Sequence, residues 1–120
     1  MQKQFRFQDM EVWRRAASLS PKLFRLANEL EQKRLYRFAE QLRGATLSIS
    51  NNIAEGSGSV SKAEFAQFLN MARRSVFEVA NILMLLGKGQ LLPIGEITPI
   101  IAELEEQSRM LLAFIRTLKA

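Results

Sequence analysis

At 120 residues, 48% hydrophobic and 24% charged, the chain is long enough for one domain that buries most of its apolar side chains without staples. It has no cysteine and no histidine, which removes disulfides, thiolate metal sites, the usual general base and the Glu-x-x-His pairs that build di-iron centres in helical bundles. The net charge is +5, and all of the excess lies in residues 1–50, where ten Lys and Arg face five acids; a balance of this sign favours nucleic acid or another anionic surface as partner.

MQKQFRFQD at the start lacks an apolar signal core, and the longest apolar run, Val76 to Leu86, is broken by Glu78 and Asn81. That run falls short of the roughly 20 residues a membrane span requires, so a cytoplasmic protein without a membrane partner is expected. Residues 1–8 read as a short arm whose Phe5 and Phe7 pack across the end of the fold. Asp9 is the predicted N-cap of a first helix over about 9–29, with Met10, Trp13, Ala17, Leu23, Leu26, Ala27 and Leu30 on its apolar side. Pro21 predicts a kink or break near Leu19 and Ser20. Glu29 to Arg34 has no apolar period and serves as the connection.

A second helix over about 33–55 carries Leu35, Phe38, Leu42, Ala45, Ile49 and Ile53 toward the core. Beside this stripe runs a second one of small and polar groups, Gly44, Ser48, Asn51 and Glu55. Ser48, Ser50, Asn51 and Asn52 are poor helix formers placed together, which points to hydrogen bonding across a tight interhelical or intersubunit contact; amides reading bases would use the same groups. Gly56 is the predicted left-handed residue that closes the helix, and Ser61 with Glu64 spells a capping box for the next. GSGSVSK lacks the spacing of a phosphate loop and no strand precedes it.

The third helix, about 61–86, has a continuous seam of Phe65, Leu69, Ala72, Val76, Val79, Leu83 and Leu86, and a second apolar set of Ala66, Phe77, Ala80 and Met84. A helix apolar on two sides is covered by more than its own bundle, so Phe77 and Met84 are candidate oligomer contacts, together with Ser48, Asn51, Asn52 and Glu55. Arg74 and Glu78 stand one turn apart as a predicted ion pair. Thr98 and Pro99 read as the start of a fourth helix over about 98–118, with Ile101, Leu104, Leu111, Ile115 and Leu118 inward and Ser108 as the polar exception.

The run from Gln41-Leu42-Arg43 through Ser48-Ile49 and Asn51-Asn52-Ile53-Ala54-Glu55-Gly56, followed by Phe65, Phe68-Leu69, Ala72, Ser75 and Glu78, resembles the four-helix bundle proteins encoded in intervening sequences of bacterial 23S ribosomal RNA genes. The resemblance spans roughly Phe7 to Gly89. It implies an up-and-down antiparallel four-helix bundle, a homopentameric ring and a role in nucleic-acid binding. Gly44 and Ser59 depart from the family pattern, which often has basic residues there.

Together these readings give an all-α, oligomeric four-helix bundle occupying residues 1–120 as one domain, and a noncatalytic scaffold that binds RNA or DNA through Arg14, Arg15, Arg34, Arg37 and Arg43. The alternative is a protein adaptor, similar to the pentameric bundles that accompany reverse transcriptases in diversity-generating retroelements. No cofactor and no metal is expected; an all-glutamate site from Glu55 and Glu78 is the one arrangement that would revive metal chemistry.

Overall fold

The computed structural model describes residues 2–120. After a single 3₁₀ turn, Arg6–Asp9, the chain forms α1 (Glu11–Gln32), α2 (Tyr36–Ser57), α3 (Lys62–Lys88) and α4 (Ile94–Lys119). Consecutive helices pack side by side, and α1 meets α4 along the sparsest seam, which closes an up-and-down bundle. The core is aliphatic: Leu23, Leu30, Leu42, Ile53, Leu69, Leu83, Leu104 and Leu111 are fully buried. At ~1.5–3 kcal/mol each, these leucines and isoleucines supply much of the drive to fold.

The predicted α3 seam is buried throughout. α1 differs from its prediction. The helix runs unbroken through Pro21, and its buried stripe is Val12, Ala16, Leu19, Leu23, Leu26, Ala27 and Leu30, with Met10 and Trp13 packed partly buried against it and Ala17 half-buried. Pro21 sits on the exposed side, where the carbonyl it leaves without a donor can be hydrated, and Ser20 Oγ donates to the Ala16 carbonyl at 2.7 Å. Met10 rather than Asp9 is the N-cap residue, because Asp9 closes the 3₁₀ turn and pairs with Lys3 at 2.8 Å. Phe7 packs on Trp13 with centroids 4.9 Å apart, and Phe5 stacks on Phe7 but stays exposed.

The two turns at one end of the bundle share a design. α1 runs to Gln32, three residues past the predicted end, and Lys33 caps it; Arg34 then takes φ 63°, and Leu35 N–H reaches the Leu30 carbonyl at 2.9 Å. After α3, Gly89 caps, Gln90 takes φ 60°, and Leu91 N–H reaches the Leu86 carbonyl at 2.9 Å. Each is a Schellman closure with a left-handed residue that is usually glycine. Gln90→Gly is therefore expected to raise stability by about 0.5–1 kcal/mol net of the extra freedom glycine gives the unfolded chain, measured by urea denaturation.

Gly56, by contrast, is helical and buried, and no glycine has positive φ. A Cβ there would lie 2.5 Å from Phe68 Cβ and 3.0 Å from Phe65 Cδ1. Gly56 thus serves close approach of α2 to α3, not helix termination. At the start of α3, Ser61 Oγ accepts from Glu64 N–H at 3.1 Å. α4 begins at Ile94, four residues before the predicted Thr98 cap, so Ile97 and Ile100 join the core and Pro99 is interior. Thr98 Oγ1 donates back to the Ile94 carbonyl at 2.9 Å.

Candidate nucleic-acid interface and exposed apolar face

The five arginines singled out from the sequence do not form one patch. Arg14 and Arg15 lie in the first turns of α1, where both bind the same carboxylate: Arg14 Nη2 donates to Glu11 Oε2 at 3.0 Å and Arg15 Nε to Glu11 Oε1 at 3.2 Å. Arg34 is 20 positions away along α1 and the turn after it, about 30 Å at 1.5 Å per residue. Arg43 is half-buried against α1, donating to Asn28 Oδ1 at 2.7 Å and Glu31 Oε1 at 3.1 Å. Arg34 and Arg37 are exposed and have no ion-pair partner among the described residues.

The two arginines beside Glu11 hold its carboxyl below the usual glutamate range, and the Lys3 ammonium does the same for Asp9. A folded-state value below the unfolded one stabilises at pH above the unfolded value and is lost as pH falls through the folded value. Glu11→Gln is expected to flatten the acid side of the pH–stability curve below about pH 4.5, in denaturation midpoints taken at low salt. Both groups are fully exposed, so the effect is small.

Ser48 and Asn52 form a polar insert where α2 meets α3. Asn52 is buried and its Nδ2 donates to the Ser48 carbonyl at 2.8 Å, while Ser75 Oγ donates to Ser48 Oγ at 2.8 Å across the helices. Asn51 and Glu55 point outward on the same helix. Phe38, expected inside, is exposed because α2 starts at Tyr36 and its inward stripe begins at Ala39. Arg74 and Glu78 make no ion pair.

α3 turns a broad apolar face outward. Phe77 is 56% exposed, Met84 52% and Leu85 59%. Phe77, Ala80 and Met84 share one groove with Ile101 of α4; Phe38, Ile82 and Leu85 share another with α2, and Asn81 lies in both. Arg73, whose guanidinium sits 4.9 Å over the Phe77 ring, also donates to the Ser108 carbonyl at 3.1 Å and so fixes that ring's rim.

Gln107 was missed by sequence reasoning. It is buried, and its Nε2 donates to the Val12 carbonyl at 2.9 Å, tying α4 to the first turn of α1. The signal was its spacing, three residues after Leu104 and four before Leu111 on the inward stripe. No cluster of three or more His, Cys, Asp or Glu side chains suited to a metal occurs among the described residues, and no helix there is long and apolar enough to cross a membrane.

These features define an up-and-down four-helix bundle protein with a basic end and an uncovered apolar flank. The chain belongs to the 23S rRNA-intervening sequence protein family, whose model matches residues 8–113. It is also similar to a solved protein of unknown function from the S23 ribosomal protein family of Bacteroides thetaiotaomicron VPI-5482: 22% identity, 87% of this chain and 97% of that one covered, TM-score 0.82. That likeness is one of fold. No curated protein matches the chain.

Proposed function

We propose that the protein is a noncatalytic scaffold which assembles with copies of itself, as a homopentameric ring, and holds RNA on its basic surface. The observation that carries this reading is the segregation of the surface. Half-exposed aromatic and thioether side chains gather on the outward face of α3, whereas Arg34 and Arg37, exposed and without an ion-pair partner among the described residues, stand close together where α1 turns into α2. The first fits association with another protein surface, and a ring supplies it by repeating one heterologous contact. The second fits phosphates, and repetition around a ring multiplies weak contacts into useful affinity.

The experiment is a binding titration of the purified chain with a structured RNA and a duplex DNA across a potassium chloride series. The expected result is affinity for RNA that falls steeply with salt, as counterion release demands. Indifference to both nucleic acids at low salt would remove the RNA role and leave the adaptor reading, in which the same surfaces organise a protein partner.

A further inference from the structure

Resting on the RNA role proposed above, we infer where the nucleic acid is gripped and in what form: the bundle end built from the α1–α2 and α3–α4 turns takes single-stranded RNA. The two turns form one surface, since Lys33 Nζ donates to the Leu91 carbonyl at 2.8 Å. Phe38 and Leu85 share a groove between antiparallel helices, so Lys88, the last residue of α3, lies at the same end as the start of α2. Arg34, Arg37 and Lys88 are thus brought to one end of the bundle, and none has an ion-pair partner among the described residues.

Several cations elsewhere are already engaged, although Arg25, Lys62, Arg74, Arg116 and Lys119, like Arg34 and Arg37, have no ion-pair partner among the described residues. Lys3 pairs with Asp9, Arg14 and Arg15 with Glu11, Lys22 with Glu103, Arg43 with Glu31 and Arg109 with Glu105 and Glu106. A phosphate arriving at those places must displace or oppose a carboxylate; at Arg34 and Arg37 it does not. Of the acids toward this end, Glu31 is already held by Arg43, Glu40 lies one turn beyond Arg37, and Glu29 and Glu96 line a groove with Lys22 and Arg25. The first turn of α2 itself carries no acidic residue.

Form follows from Tyr36. The residue is 56% exposed, an aromatic side chain at the start of α2 with Arg34 and Arg37 on either side of it in the chain. Unpaired bases stack on such rings while neighbouring cations follow the backbone, whereas a duplex keeps its base faces covered. Arg34 occupies φ 63°, where glycine is conformationally cheaper, as Gln90 does in the other turn.

The strain makes the test selective. Anisotropy of a short fluorescein-labelled oligouridylate, free and as a duplex with oligoadenylate, is measured against the full chain in a salt series. Variants are Arg34→Gly, Gln90→Gly, Tyr36→Leu and Arg14→Ala/Arg15→Ala. Arg34→Gly is expected to raise the thermal midpoint by a few degrees yet weaken RNA binding and lower the salt slope by about 1 per engaged protomer. Gln90→Gly, which removes no charge, raises the midpoint equally and leaves the salt slope unchanged. Tyr36→Leu lowers affinity for the single strand by roughly tenfold without changing the slope.

If Arg14→Ala/Arg15→Ala abolishes binding and Arg34→Gly does not, the location is overturned while the RNA role stands. Equal affinity for duplex and single strand, untouched by Tyr36→Leu, overturns the single-strand assignment. A wild-type chain that binds no nucleic acid at low salt overturns this inference and the RNA role together.

Discussion

Gly56→Ala is expected to lower the free energy of unfolding by about 3 kcal/mol, at the upper end of what overpacking a core normally costs. The new Cβ would meet Phe68 Cβ at 2.5 Å, and Phe68 Cβ is fixed to its own backbone, so no rotamer change relieves the contact. α2 and α3 must separate at their closest approach, which loosens Ile53, Phe65 and Leu69. Two other glycines calibrate the result. At Gly87 the clash is with Ile94 Cδ1 at 2.8 Å, the movable tip of an exposed side chain, and alanine there costs less. At Gly44 nothing lies within 4 Å, and alanine is expected to stabilise the chain by about 0.5–1 kcal/mol through helix propensity alone. Urea denaturation of the three variants checks the order.

Phe77→Glu combined with Met84→Glu is expected to convert the proposed ring to single chains at micromolar concentration while the bundle stays folded. Both side chains are more than half exposed within the chain, so a carboxylate at either is hydrated in the monomer. In a closed interface two charges would be buried without partners, a penalty of several kcal/mol per contact. At position 77 the new carboxylate stands one turn from Arg73, which trades its contact with the ring for an ion pair. Helical circular dichroism should therefore be unchanged while the mass falls. An unchanged mass would mean that copies meet elsewhere.

Elements with strict periodicity were legible in the sequence. α3 has no proline and repeats its apolar residues every three or four positions over seven turns, so its inward face follows from pattern alone. α1 and α4 were misjudged at their prolines. A proline breaks a helix when the carbonyl it orphans is buried; Pro21 and Pro99 are exposed, and burial is a tertiary property. Gly56 shows a different limit. A glycine that permits close approach and a glycine that turns the chain are the same letter, and here the partner that decides is Phe68, on another helix.

The candidate site divides in the same way. The pairing of Arg14 and Arg15 with Glu11 is a three- and four-residue spacing on one helix and can be read from sequence. That Arg43 reaches back 12 residues to Glu31, and Lys22 across 81 to Glu103, depends on how helices are juxtaposed. Only once those pairs are known do Arg34 and Arg37 separate from Arg14, Arg15 and Arg43 as exposed arginines without a carboxylate partner. Phe77 and Met84 were recognisable as a second apolar set, but their exposure depends on where α4 lies.

Light scattering on the purified protein as it leaves a sizing column tests most directly whether copies of the same chain cover α3's apolar face. The expected mass is about five times the 13.7 kDa of the chain. A monomer of 13.7 kDa across micromolar concentrations would contradict it.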